Sequence, residues 1–318
     1  MVVMSTKIYI KIIFNYIIFN CIMIILYGIE NNTIDVTDIC LAKLEINNTI
    51  TIPSGDLMRA QYFTDPICGV LKSVFIMHNG NLMSYDHNST IKINTITNEI
   101  VSTSISDINN KTANIQNQLR LNYGSFNDEL PEQKMAVRYL TGNEKVLEIG
   151  GNIGRNTLII AHILGTNPNF VSLESDPDIA NQLIENRNLN NFNFHIENSA
   201  LSKRKLIQRH WETMVSDVLL DGYKWINTIT LDELNAKYNI EFDTLVLDCE
   251  GAFYYILMDM PEILDNIKLI IMENDYTDIT HKQYIDSVLR KNDFYVDYVE
   301  GGGWGPCYNN FFEVWKKQ

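Results

Sequence analysis

The chain has 318 residues, a formal net charge of −14, 46% hydrophobic residues and 20% charged residues. That length allows one large domain and a smaller one, with apolar content enough for a sizeable core. So acidic a chain is a poor match for a nucleic-acid backbone, which rewards clustered Lys and Arg, and its one basic cluster, Lys203-Arg204-Lys205 with Arg209 nearby, reads as a solvated turn.

Residues 8–27 are almost wholly apolar, interrupted by Lys11, Asn15 and Asn20. A run of about 20 such residues can cross a bilayer as a helix. Lys7 and Lys11 precede its apolar centre, while Glu30, Asp35 and Asp38 follow, so the positive-inside rule puts the N-terminus in the cytoplasm and the rest across the membrane, an orientation at odds with a cytoplasmic placement of the rest. No small-x-small cleavage site follows. Residues 1–28 are therefore expected to form a transmembrane or signal-anchor helix, making the protein membrane-associated through a single N-terminal anchor and otherwise cytoplasmic.

Residues 29–115 are rich in Thr, Ile, Val and Asn, with turn signals at Pro53-Ser54-Gly55, Asp65-Pro66 and Asn79-Gly80. Asn79-Gly80 lies between Val74-Phe75-Ile76-Met77 and Leu82-Met83-Ser84-Tyr85, which predicts a hairpin. A small β-rich domain follows from this spacing, and no catalytic constellation lies in it. The cysteines are Cys21, Cys40, Cys68, Cys249 and Cys307. None forms a C-x-x-C pair, so no metal site is expected; whether Cys40 and Cys68 meet depends on a distance the sequence does not give.

From residue 116 to 318 strands and helices alternate. The pattern predicts a helix over 128–140 and strands over 146–149, 169–173, 192–196, 242–247 and 268–272. It adds helices over 178–188 and 282–291 and late strands over 294–299 and 311–315. Alternation of this kind implies a mostly parallel, doubly wound sheet, and late strands without a helix between them allow a hairpin at one edge.

The first strand, Val146-Leu147-Glu148-Ile149, runs into Gly150, Gly151 and Gly154 and then a helical apolar pattern. Glycine there permits a sharp turn and a close approach of ligand to main chain, and the helix start offers free N–H groups. The spacing is one residue short of the dinucleotide fingerprint, which disfavours a pyrophosphate cradle and a nicotinamide dehydrogenase. Glu148 inside the strand would repel a phosphate. A cationic ligand suits it better, and S-adenosylmethionine carries an ammonium and a sulfonium. In such a sheet ligands bind outside the carboxyl ends of the strands. Glu174 ends the second strand, roughly 20 residues past the turn, where an acid typically holds a ribose diol. Asp248 and Glu250 end the fourth strand, beside the first, and would face the reactive end of the ligand.

Five ordered blocks carry a family likeness. Glu148-Ile149-Gly150-Gly151-Asn152-Ile153-Gly154-Arg155-Asn156-Thr157, Leu173-Glu174-Ser175-Asp176-Pro177, Asn198-Ser199-Ala200-Leu201-Ser202, Thr230-Leu231-Asp232-Glu233-Leu234 and Leu247-Asp248-Cys249-Glu250-Gly251-Ala252 resemble the FkbM-type family of class I S-adenosylmethionine-dependent methyltransferases. The resemblance implies a Rossmann-like, seven-stranded, mostly parallel sheet over residues 116–318. It implies that Glu148, Gly150, Asn152 and Gly154 line the methionine end of the cofactor, that Glu174 binds the ribose, and that Ser199 and Ala200 border the adenine. Asp248 and Glu250 would stand near the sulfonium and the acceptor, as candidate bases for O-methylation of a hydroxyl on a glycan or small metabolite. Two positions depart from the family's pattern: Val246 stands where Lys is frequent, and Phe253 where Glu is. Both remove charge near the acceptor, which leaves an alternative open: a catalytically degenerate fold acting as a structural or binding protein. The stretch Gly301-Gly302-Gly303-Trp304-Gly305-Pro306 is either a lid or acceptor wall, or a tight aromatic connection.

Overall fold

The computed structural model describes residues 23–318. Residues 1–22 of the expected anchor lie outside the described residues, but its last part is corrected: Met23–Ile29 is a strand, not a helix. Alternation decides this locally, since Met23, Ile25 and Tyr27 are buried while Ile24 is exposed, a period of two. Among the described residues, no helix is long and apolar enough to cross a membrane. The chain divides into two compact units, one ending at Ile108 and the other starting at Asn109.

The first unit holds two four-stranded antiparallel sheets. One has the order β2-β1-β5-β6, from β1 (Met23–Ile29), β2 (Asn32–Asp35), β5 (Ser73–His78) and β6 (Asn81–Tyr85). The other has the order β3-β4-β7-β8, from β3 (Glu45–Ile46), β4 (Thr49–Ile52), β7 (Ser89–Asn94) and β8 (Ile100–Ser104). Ile25, Val74 and Ile76 share one core with Ile50, Ile52, Ile91 and Ile93. Helices α1 (Thr37–Lys43) and α2 (Asp56–Phe63) connect the strands. The β5–β6 turn is Asn79-Gly80, both residues at positive φ, as a two-residue hairpin of this type requires. Arg59 is fully buried and donates to the carbonyls of Pro53, Asp86 and Ser89, so its charge is spread over three acceptors. Cys40 is buried, Cys68 is exposed, and both are free thiols.

After α3 (Ile105–Gln116) and α4 (Leu130–Tyr139) comes a seven-stranded sheet of order β11-β10-β9-β17-β18-β20-β19. Its members are β9 (Val146–Ile149), β10 (Phe170–Leu173), β11 (His195–Glu197), β17 (Thr244–Leu247), β18 (Leu269–Glu273), β19 (Phe294–Glu300) and β20 (Phe312–Lys317). The first five pair in parallel, and β20 lies antiparallel between β18 and β19. Every residue of β9, β10 and β17 is buried, the composition of strands covered on both faces. Helices α5 (Arg155–Leu164), α6 (Pro177–Leu189), α7 (Leu231–Tyr238), α8 (Phe253–Asp259) and α9 (Ile279–Lys291) fill the crossovers.

Between β11 and α7 the chain makes short strands that the sequence pattern did not predict. Strands β12 (Ala200–Leu201) and β16 (Thr228–Ile229) pair in parallel. Between them, β13 (Leu206–Arg209), β14 (Glu212–Val215) and β15 (Lys224–Trp225) form an antiparallel meander. The basic cluster roots this meander: Arg204 forms a two-pronged ion pair with Asp259, and Lys203 reaches the Asp259 carbonyl and Glu262.

Candidate functional site

The order of strands reverses between β9 and β17, the point at which doubly wound sheets bind ligands. A cleft of about 780 Å³ opens there, above the carboxyl ends of β9, β10, β17 and β18. Gly150, Asn152, Glu174, Ser199, Ala200, Asp248 and Glu250 line it. Glu148 and Gly154 do not.

The turn after β9 is built from its backbone outward. Gly150 N–H and Gly151 N–H both donate to the Leu173 carbonyl, at 3.0 and 2.9 Å. Gly150 takes φ +93°, and a Cβ on it would run into the Asp248 carbonyl oxygen. Only glycine satisfies both demands, so the floor of the cleft is bare main chain. Asn152 follows in the left-handed region, φ 47°, and its N–H donates to Glu174 Oε2 at 2.9 Å. The other Glu174 oxygen accepts from Asp176 N–H at 2.8 Å. Burial raises the Glu174 pKa and these N–H donors oppose the rise, so its carboxyl is held in place at the edge of the cleft. Gly154 caps α5 at φ +100°, and a Cβ there would press on Leu183, a packing role.

Glu148 lies within the sheet. It is 2% exposed and accepts from Ser172 Oγ at 2.5 Å. Burial pushes its pKa up to about 8, against the hydrogen bonds from Ser172 and Thr157. The residue expected as a strand-end cation partner is thus a buried acid that does not line the cleft.

Beyond the expected residues, Glu129, Glu132, Glu273 and Asp275 also line the cleft. Glu129 accepts from Arg155 Nη1 at 2.6 Å and from Asn152 Nδ2 at 3.2 Å. The Glu273 carboxyl stands against those of Asp248 and Glu132, and Glu250 against Asp275. Like charges this close cannot all ionise. Burial, then the neighbouring charges of Glu129 and Glu132, raise Asp248 to about 7. Burial, then the hydrogen bond with Asp275, raise Glu250 to about 8. Burial and then the neighbouring charge of Asp248 raise Glu273 as well. Among the described residues, no group of three or more His, Cys, Asp and Glu side chains is arranged to hold a metal ion.

Leu206, Gln208, Trp211, Thr213, Met214 and Val215 of the meander form one wall, and Tyr255, Trp304 and Phe312 contribute aromatic surface. Neither Leu206–Arg209 nor Glu212–Val215 alternates in polarity, so this hairpin carried no period-two signal, and the charges around it read as a loop. Asp275 was within reach of the strand-end rule, two residues past β18. Glu129 and Glu132 carried no signal, because a helix pattern does not say which end faces a cleft. Trp304 places the glycine-aromatic stretch on the cleft wall.

The fold is α/β, with a seven-stranded, mostly parallel central sheet closed by an antiparallel strand pair at one edge. Similar solved structures include an O-methyltransferase from Bacillus cereus in complex with SAH, 15% identical, covering 67% of this chain and 90% of that one at a TM-score of 0.39. An O-methyltransferase from Streptomyces achromogenes involved in tomaymycin synthesis, in complex with SAM, is 11% identical over 67% of this chain and 90% of its own, at a TM-score of 0.39. A precorrin 8W decarboxylase from Methanobacterium thermoautotrophicum is 13% identical over 64% of this chain and 98% of its own, at a TM-score of 0.36. No protein-family model matches the chain, and no curated protein does.

Proposed function

We propose that the chain is an S-adenosylmethionine-dependent methyltransferase acting on a hydroxyl of a small molecule or glycan, as its resemblance to the FkbM-type family implies. The observation that carries this is the Gly150–Asn152 turn, bare of side chain at Gly150 and tied to Glu174, opening on the Asp248 carboxyl in one cleft. The residues fit the cofactor. Glu174 presents carboxylate oxygens to a ribose diol, Ser199 and Ala200 border the adenine, and Gly150 lets the methionine end approach the main chain. When bound, S-adenosylmethionine supplies a methyl group already activated by its sulfonium.

The chain's own work is then alignment and proton removal. Holding the acceptor oxygen in line with the methyl carbon is worth much of the rate. Asp248 is the base in this scheme. A carboxyl with a pKa near 7 is ionised enough at neutral pH to accept the hydroxyl proton, yet basic enough to hold it. Asp248 would take the proton from the acceptor hydroxyl as the methyl group that S-adenosylmethionine would supply is transferred to that oxygen.

Calorimetry on the full chain tests the cofactor half. Micromolar binding of S-adenosylmethionine and S-adenosylhomocysteine is expected, weakened in Glu174→Ala. Absence of binding by both ligands rejects it. Binding without turnover on any hydroxyl acceptor would favour the degenerate fold, to which Val246 and Phe253, both buried and uncharged, also point.

A further inference from the structure

We propose that the acceptor carries a protonated amine beside the hydroxyl that takes the methyl, and that Glu132 and Asp275 hold this ammonium group. The inference rests on the methyltransferase assignment above and specifies its substrate class.

Buried carboxylates are stable only when paired. Among the described residues, Glu132, Asp248, Glu250, Glu273 and Asp275 form no ion pair, and their side chains stand against one another. Among the described residues, Arg204 is the one basic side chain lining the cleft, and it is already committed to Asp259. A second feature points to a ligand. Glu132 Oε2 and Asp275 Oδ1 have no hydrogen-bond partner, although these residues are only 7% and 8% exposed and both line the cleft. A buried acceptor left open in this way calls for a donor from outside the chain.

The cofactor alone does not supply the counter-charge. Its ammonium and sulfonium are offset by its own carboxylate, which leaves one net positive charge against the whole cluster. Asp275 follows β18, on the side of β17 away from β10 and Glu174, and Glu132 of α4 stands beside Glu273 at the end of β18. Tyr255, Trp304 and Phe312 line the same cleft, and aromatic faces attract cations. A neutral sugar would leave the cluster's charge uncompensated, and an anionic acceptor would be repelled. Raised pKa values at Glu132 and Glu273, where burial is the largest cause, fit acids that lack a counter-charge.

Three probes share a phenol and differ in tail charge: tyramine is cationic, tyrosol neutral and 4-hydroxyphenylacetate anionic. Each is titrated calorimetrically into the full chain saturated with S-adenosylhomocysteine. Tyramine is expected to bind at least about tenfold more tightly than tyrosol, with the anion weakest. Glu132→Gln and Asp275→Asn should each erode that preference while leaving S-adenosylhomocysteine affinity and the thermal unfolding midpoint near wild type. Equal affinities, preference for the anion, or no binding of any probe to wild type overturns the proposal. So does magnesium binding that displaces tyramine from the cluster. If S-adenosylhomocysteine itself fails to bind, the cofactor assignment falls. The same titrations without it then show separately whether the cleft selects a cation.

Discussion

The Asn152 N–H donates to Glu174 Oε2 at 2.9 Å, joining the turn after β9 to the acid that follows β10. With Asp176 N–H on its other oxygen, the Glu174 carboxyl is oriented before any ligand arrives. Binding therefore need not spend energy on ordering that side chain. Replacing Glu174 by Ala removes both ribose acceptors and frees the turn. Affinity for S-adenosylhomocysteine is expected to fall about 10- to 100-fold, the equivalent of one or two hydrogen bonds to a charged group. Calorimetry reads this directly, and an unchanged Kd would exclude Glu174 from the cofactor site.

Asp248→Asn separates the proton acceptor from the scaffold. The amide preserves shape but holds no proton at neutral pH. Turnover on any acceptor that the wild type methylates should fall about 10²- to 10⁴-fold, with S-adenosylhomocysteine affinity within a few-fold of wild type. Because Asp248 is raised to about 7 and acts only when ionised, wild-type kcat/KM should climb as pH rises through that value. The Asn variant should lack this limb. Full turnover in Asp248→Asn would move the role to Glu250 or remove it.

The parallel strands and the glycine turn were legible because they depend on local pattern: apolar runs such as Leu245-Val246-Leu247, ended by an acid, read the same way in sequence and structure. The cleft's carboxylate cluster was only half legible. Asp248 and Glu250 follow one strand in sequence, whereas Glu129 and Glu132 reach the cleft from α4, a placement fixed by tertiary packing. Glu148 is the opposite case. Its position near the strand end suggested a ligand contact, but strand residues alternate between faces, and its side chain turns toward Ser172. The meander of β13, β14 and β15 was hidden because its short strands carry charges that read as loop.

Gly150→Ala tests the bare floor. A Cβ there meets the Asp248 carbonyl, main chain that cannot swing away, and φ +93° adds strain. The expected loss is about 2 kcal/mol or more in denaturant unfolding, together with loss of S-adenosylhomocysteine binding. Gly165→Ala is the comparison: φ is +60° with open space around it, so the backbone preference alone should cost about 1 kcal/mol and binding should persist. Equal effects of the two substitutions would show that the close approach to Asp248 is unimportant.

Glu148 gives a stability signature that depends on pH. Its pKa in the folded chain is about 8, above the roughly 4.3 of an unfolded Glu. The folded state binds that proton more tightly, so the stabilisation is complete below the unfolded pKa and is lost as pH rises toward 8. A tenfold difference in proton affinity between the folded and unfolded chain is worth about 1.4 kcal/mol, which bounds the change at about 5 kcal/mol. Glu148→Gln cannot titrate. Unfolding free energy from denaturant titration should therefore fall more steeply with pH, between about 5 and 8, in wild type than in the variant. The other raised acids in the cleft remain in both proteins, so the difference between the two curves isolates Glu148. Parallel curves would mean that Glu148 is ionised in the folded chain at neutral pH. Since Glu148 does not line the cleft, S-adenosylhomocysteine affinity should be the same in both proteins at pH 6. A large loss in Glu148→Gln would return it to the cofactor contacts that its place in the sequence first suggested.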